Sequence, residues 1–343
     1  MRKVAENGEM SDKKSKDKGV SPRLFIAACI VVSIVSQANV DEIALHKARM
    51  HGAQAKECLR VVDQDGAPVA GAKVWGGLQT GSGYNDFVPI RGTTDTNGEY
   101  VIQGKCTSRI RCDITKDGYY RSEFLMTDYG HKHSVKDGKW QPYGEKKTVV
   151  LKKIRNIGRT LVFPDALRSC RIPEFGKWIG FDFECADWVA PRGKGRSSDV
   201  LLRFSAMERS MDDYRFAMEV SFTNNPHAGA YRLKEDKTSL LTTVYDADSN
   251  ATYRAEFAYI QEESPNGLRH FDYLDRDSYL VFRTRTRVDK DGRLIGAHYG
   301  KILGRWLSDT EYMILSDGCF NPVENDVNIE DGSGLRDAIR NQK

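Results

Sequence analysis

The chain is poor in the residues and motifs that carry most enzyme chemistry. Histidine occurs 7 times in 343 residues. Past residue 54 the histidines are His131, His133, His227, His270 and His298, and none stands in a triad motif. No Gly-x-Ser-x-Gly occurs; Gly81-Ser82-Gly83 lacks the spacing, which excludes a nucleophile elbow. No Cys-x-x-Cys occurs, so the paired thiolates of common structural zinc sites are missing. Arg192-Gly193-Lys194-Gly195-Arg196 is basic and glycine-rich but lacks the second half of a phosphate-binding loop. Charge of one sign is lacking too: 52 Lys and Arg face 48 Asp and Glu. Part of the excess sits in Lys13, Lys14, Lys16, Lys18 and Arg23, so no basic face points to nucleic acid. The longest apolar run, residues 24–35, is shorter than the roughly 20 residues of a membrane-spanning helix. No repeat of fixed period is present.

What is there begins with that run. It follows a polar, basic segment and leads to Ser36-Gln37-Ala38, with small residues where a signal peptidase reads. A signal peptide is therefore expected over residues 1–38. An uncleaved anchor, a lipidated Cys29 after Ile26-Ala27-Ala28, and a true start at Met10 are the alternatives. The lipid reading suffers because the apolar run continues past Cys29 to Val35. Six cysteines follow the signal: Cys58, Cys106, Cys112, Cys170, Cys185 and Cys319. An even number in an exported chain predicts disulfides, with the pairing left open.

The length fits about two domains. Residues 39–54 read as a linker or one short helix. From Cys58 onward, short alternating apolar runs are divided by Gly, Asp and Asn clusters, the pattern of strands and turns. Leu59–Val62, Ala72–Trp75, Glu99–Ile102, Ile110–Ile114 and residues 147–151 are predicted strands. The order Val-x-Asp-x-x-Gly-x-Pro-Val-x-Gly-Ala-x-Val spans Val61 to Val74. Thr-Asp-x-Asn-Gly-x-Tyr (Thr94 to Tyr100) and Lys116-Asp117-Gly118-Tyr119-Tyr120 follow. Residues 55–153 thereby resemble the carboxypeptidase regulatory-like domain, which implies a transthyretin-like Greek-key sandwich and no particular activity. Residues 76–91 read as a Gly-rich loop and 121–146 as a second insertion.

Residues 154–163 read as a connection and 154–330 as a second β-rich domain. Arg215–Phe222 and Ser278–Val288 alternate cleanly; the latter forms a hairpin with the run ending at Ile302, and Glu311–Leu315 is a further strand. Residues 232–241 and 333–341 are the helix candidates, and 331–343 a flexible tail. Gly180 to Asp199 resembles a segment of uncharacterised exported bacterial proteins that carry the same first domain, and no activity comes with it. The expected fold class is all-β: a Greek-key β-sandwich followed by a second β-sandwich or jelly-roll-like domain.

Two leads concern metals. Asp128, His131 and His133 cluster in the second insertion. Asp246-Ala247-Asp248-Ser249-Asn250 imitates half of a calcium loop, but Ala251 and Phe257 replace the required Gly and Glu. Both read as loops, and no metal or cofactor is expected. Glu184 and Asp187 flank Trp188 as a carboxylate pair of the kind glycoside hydrolysis needs. The sharper reading is carbohydrate binding, because sugars stack apolar C–H faces on exposed aromatic rings while polar neighbours read the hydroxyls. Trp188, Arg192, Lys194 and Tyr84 are the candidate ligand contacts. Trp75, Phe87, Trp140 and Tyr143 lie in or beside the same loops; Trp75 is read as ending a core strand, and Trp178 and Trp306 as core. The function expected is an exported, non-catalytic binding or assembly protein of the cell envelope. Its partner is a glycan or another envelope protein. Polysaccharide breakdown by paired carboxylates and a structural part in a surface complex are the alternatives.

Overall fold

The computed structural model describes residues 41–83, 86–127, 134–163, 168–272, 277–303, 306–309, 311–315 and 317–332. The expected signal peptide, Tyr84, the Asp128–His133 cluster and the 333–341 helix candidate lie outside these residues. No described helix is long and apolar enough to cross a membrane.

The protein is all-β, with one short helix (α1, residues 41–51) among the described residues leading in. Leu45 and Ala48 of α1 pack on the first core. The first sandwich follows as β1 (Ala53–Asp63), β2 (Lys73–Gln79), β3 (Phe87–Thr93), β4 (Glu99–Cys106), β5 (Ile110–Thr115), β6 (Ser122–Met126), β7 (Val135–Lys136), β8 (Lys139–Trp140) and β9 (Glu145–Leu151). One sheet runs β4-β1-β8-β7, with β9 also parallel on β1; the other runs β3-β2-β5-β6. The chain crosses between the sheets after β1, β3, β4 and β6. Each sheet turns alternate residues inward. Leu59, Val61 and Ile102 from one layer meet Val74, Leu78, Ile110, Cys112 and Ile114 from the other in a single core. Residues 76–91 are thus largely strand, not loop. The Gly-rich run continues β2 to Gln79 and returns as β3, because two glycines admit neighbours that a side chain would exclude.

The second half comprises β10 (Leu161–Val162), β11 (Arg168–Arg171), β12 (Ile179–Asp182), β13 (Asp187–Trp188), β14 (Val200–Ser210), β15 (Asp213–Ser221), β16 (Gly229–Lys234), β17 (Glu256–Glu263), β18 (Arg269–Asp272), β19 (Ser278–Val288), β20 (Leu294–Leu303), β21 (Trp306–Ser308), β22 (Tyr312–Leu315) and β23 (Gly318–Phe320). They form sheets β13-β12-β14-β15-β17-β18, β10-β23-β20-β19-β16 and β11-β22-β21. The β19 sheet is a middle layer. Leu280, Phe282 and Ile302 face one core together with Phe181, Phe204 and Trp306. Tyr279, Val281, Tyr299 and Cys319 face another, closed by Ala247 and Ile329. Both faces of β19 are therefore covered, and even Arg283 and Thr284 are buried. Its polar positions are buried as well, because layers pack on both sides. Residues 232–241 are not helical: β16 runs to Lys234 and turns follow, starting with the Asp236 carboxylate accepting the Thr238 N–H.

None of the six described cysteines forms a disulfide, where disulfides were expected. They are spread over three cores and a surface: Cys106 and Cys112 in the first, Cys170 and Cys319 in the second and third, and Cys185 exposed. Burial pushes the thiols of Cys106 up to about 11 and of Cys112 and Cys319 up to about 12.

A seam joins the two halves. The Glu123 N–H donates to Thr238 O (2.7 Å), the Leu240 N–H to Arg121 O (2.9 Å), and the Tyr245 hydroxyl to Lys153 O (2.6 Å). The buried Glu330 carboxylate accepts from the Tyr120 hydroxyl (2.8 Å) and from the N–H groups of Arg155 (3.0 Å) and Asn156 (2.6 Å). Beside it Asp331 meets the buried Lys301 at 3.4 Å. Residue 331, expected at the start of a flexible tail, is thus held inside.

Candidate functional site

The β3-β2-β5-β6 sheet turns one face inward and the other to solvent. Because Val74 and Leu78 point into the core, Lys73, Trp75 and Gly77 point out. Ile110, Cys112 and Ile114 likewise leave Arg111 and Asp113 on the outer face. Register then aligns these residues across strands. One row reads Arg91, Trp75, Asp113, Glu123; the next reads Pro89, Gly77, Arg111, Leu125. Adjacent members of a row stand about 4.8 Å apart, and the rows about 7 Å apart.

Trp75 is 52% exposed, Phe87 48% and Leu125 51%, an apolar surface on the outer face of the sheet. Two glycines shape it. A Cβ on Gly76 would stand 2.0 Å from Arg111 O, so only glycine lets β2 and β5 approach at that point. A Cβ on Gly77 would stand 2.8 Å from the Phe87 ring. The ring therefore lies over Gly77, next to Trp75 along β2, and two aromatic surfaces adjoin.

Polar groups border the rings. The Arg111 guanidinium pairs with Glu123 at 3.1 Å, and Arg121 with Asp113 Oδ2 at 3.3 Å. Asp113 Oδ1 is buried and has no hydrogen-bond partner. Burial raises the Asp113 pKa, against the pull of Arg121. An orphaned carboxylate oxygen beside an exposed indole is an unfilled acceptor, and native proteins keep few of these. At the open end of the hairpin, Gln79 Nε2 donates to Gly81 O (2.7 Å) and Gly83 O (2.9 Å), and the Gly83 N–H donates to Asp86 (2.8 Å).

The contacts predicted in the second half do not assemble. Trp188 is 3% exposed and packs edge-on against Phe181 (5.2 Å) and Phe204 (5.8 Å). Its indole N–H donates to Arg171 O (2.8 Å). It is a core residue, since the loop after it folds inward around acids. The Asp187 carboxylate accepts the Trp188 and Lys194 N–H groups, and Asp182 accepts those of Arg196 and Ser197. Arg192 pairs with Glu174 (2.8 Å), and the Lys194 side chain is exposed. Tyr84 lies outside the described residues. Trp75, expected to end a core strand, is instead exposed. Trp178, expected in the core, is 40% exposed beneath the Arg203 guanidinium. Trp140 is buried and donates to Cys106 O (2.7 Å). Strand parity was the signal for Trp75: an indole between inward Val74 and the inward position of Gly76 must face out.

A second concentration of charge centres on Arg285, at a bulge in β19 with φ of 46°. Its guanidinium binds Asp199 (2.8 Å) and Asp182 (2.9 Å), also meets Glu184, and lies over the Phe320 ring. Burial pushes Asp199 up to about 6, against the pull of Arg285. Every carboxylate there is turned onto Arg285 or onto loop N–H groups, so Glu184 and Asp187 do not confront each other across a cleft. Among the described residues no group of three or more His, Cys, Asp or Glu could hold a metal ion. In the Asp246–Asn250 turn, the Asp248 carboxylate accepts the Asn250 N–H (2.9 Å). A shallow cavity of about 220 Å³ lies near the seam, bordered by Lys152, Lys234, Thr243, Tyr245 and Tyr279. Its Lys152 is already engaged by Asp236 (2.9 Å) and Leu241 O (2.7 Å).

No family model and no curated protein matches the chain. Among solved structures, 3-chlorocatechol 1,2-dioxygenase from Rhodococcus opacus is similar over 31% of this chain and 62% of its own, at 14% identity and TM-score 0.25. Chlorocatechol 1,2-dioxygenase from Pseudomonas putida is similar over 40% of this chain and 92% of its own, at 13% identity and TM-score 0.25. A DUF3823 family protein from Parabacteroides merdae covers 81% of this chain at 9% identity and TM-score 0.20. The chain spans about three fifths of the length of the first of these, 62%. At such TM-scores none of them lends an activity.

Proposed function

We propose that the chain is an exported, non-catalytic binding protein of the cell envelope that holds a glycan on the outer face of its first sandwich. The observation that carries the reading is Trp75, half exposed on the outer face of its sheet beside the Phe87 ring. A pyranose offers an apolar C–H face to such rings and directs its hydroxyls sideways, where the exposed Arg91, across β3 from Trp75, donates to one. Binding pairs exposed aromatic area with a few placed polar groups in this way. The resemblance of residues 55–153 to the carboxypeptidase regulatory-like domain fits an accessory module, and the N-terminal apolar run supports export.

The test is a glycan-array screen of residues 39–343 beside Trp75→Ala. Binding that disappears in Trp75→Ala, with an unchanged thermal midpoint, is the expected result. Binding that survives the substitution removes the sheet face from the reading. A chain that binds no glycan moves the role to a protein partner.

A further inference from the structure

The middle sheet of the second half carries a lysine among apolar neighbours. Lys301 of β20 stands in register between Val281 of β19 and Cys319 of β23. Residues in register share a face, and Val281 and Cys319 face the core closed by Ala247 and Ile329. The Lys301 side chain is 1% exposed and that of Asp331 4%. Among the described residues, Lys301 Nζ has one hydrogen-bond acceptor, Thr243 Oγ1 at 2.7 Å, and one paired carboxylate, Asp331 Oδ2 at 3.4 Å. As an ion pair the arrangement is poor. An ammonium brings three N–H donors, and the carboxylate stands beyond the length of a strong charge-assisted bond. Two charges taken out of water cost more than their attraction returns unless the geometry is excellent. An amide N–H, by contrast, carries one hydrogen, and Thr243 Oγ1 is its one acceptor.

We propose that Lys301 and Asp331 join in an isopeptide bond, a covalent cross-link that the folded chain makes within itself. A proton passes from the ammonium to the carboxylate, giving an amine and an acid. The Nζ lone pair attacks Asp331 Cγ, and the Nζ–Cγ bond forms. The bond from Cγ to the hydroxyl oxygen breaks, and the leaving hydroxyl takes a second proton from Nζ. The products are a secondary amide and one water. Nothing is oxidised or reduced, and no co-reactant is consumed. The fold supplies the proximity that such a step needs. Thr243 holds the nitrogen, and the same residue borders the shallow cavity near the seam, which receives the water. Condensation also removes two charges from a dry core. The link fastens the residue next to Glu330, the clasp on the first sandwich, to the middle sheet. It restrains the unfolded chain as a disulfide does, in a protein whose described cysteines form none.

The test is tryptic digestion of the purified, denatured wild-type chain, read by mass spectrometry. Trypsin does not cut after an amidated lysine. The expected product is therefore residues 294–305 joined to residues 306–336. Its mass is that of the two peptides less one water, and its fragment ions place the junction on Lys301 and Asp331. Separate peptides 294–301 and 306–336, each of unmodified mass, overturn the proposal and leave a buried ion pair. The wild-type digest decides this whether or not any variant folds. In Lys301→Arg, which keeps a cation at the position, and in Asp331→Ala the joined product is expected to vanish. A joined product that survives Asp331→Ala overturns the assignment to Asp331.

Discussion

Trp75 and Trp188 carry the same side chain into opposite circumstances, and substitution separates them. Trp188 is wedged between Phe181 and Phe204 with its N–H satisfied by Arg171 O. Trp188→Ala is expected to cost about 3–5 kcal/mol in denaturant unfolding, the range for a large aromatic lost from a core. Trp75→Ala is expected within about 0.5 kcal/mol of wild type, because it removes only surface contacts. Asp113 is subtler. Its raised pKa means that the folded protein holds the proton at pH values where the unfolded chain has released it. Stability from this group is therefore present at low pH and is lost as pH rises through the folded value. Asp113→Asn should accordingly melt higher than wild type at neutral pH, with the difference closing on acidification. A lower melting point at neutral pH would show that the Arg121 contact outweighs the burial of the charge.

At the scale of the element, β2 concentrates the argument. Gly76 lets Arg111 O approach, and Gly77 seats the Phe87 ring. Gly76→Ala should break the β2–β5 pairing and cost about 1–3 kcal/mol, as overpacking does. Gly77→Ala should leave the fold intact but lift Phe87 from the sheet, and it is checked by a loss of binding at near-native stability. Strands with clean alternation were legible in the sequence: Ile110–Ile114 and Ser278–Val288 lie within strands, and Arg215–Phe222 does so as far as Ser221. The binding face was less so. Glycines in Gly76-Gly77 read as loop, although the parity of Val74, Trp75 and Leu78 runs straight through them. The loop of Arg192–Arg196 read as a displayed basic turn, although Asp182 and Asp187 gather its N–H groups from beneath. Sequence shows which residues are polar, and only tertiary packing decides whether that polarity points out or holds a loop shut.

At the scale of the whole molecule, the seam makes two sandwiches into one unit. Glu330 is buried and takes hydrogen from Tyr120, Arg155 and Asn156. Removing the carboxylate leaves three donors without an acceptor, each worth about 1–3 kcal/mol when buried. Glu330→Ala should therefore turn a single calorimetric transition into two, with the first sandwich melting apart from the second. Tyr120→Phe removes one of those bonds and should cost less, about 1–2 kcal/mol. One broad transition in both variants would mean that Lys152, Lys153 and the Ser122–Ser239 bridge suffice to hold the halves together.

The Tyr120–Glu330 contact joins positions 210 residues apart. At synthesis rates of about 5–20 residues per second, Glu330 is made roughly 10–40 s after Tyr120. A sandwich of this size folds in milliseconds to seconds. During that interval the first sandwich exists with its Tyr120 flank uncovered, so the nascent chain is born with a wound that only its own later residues dress.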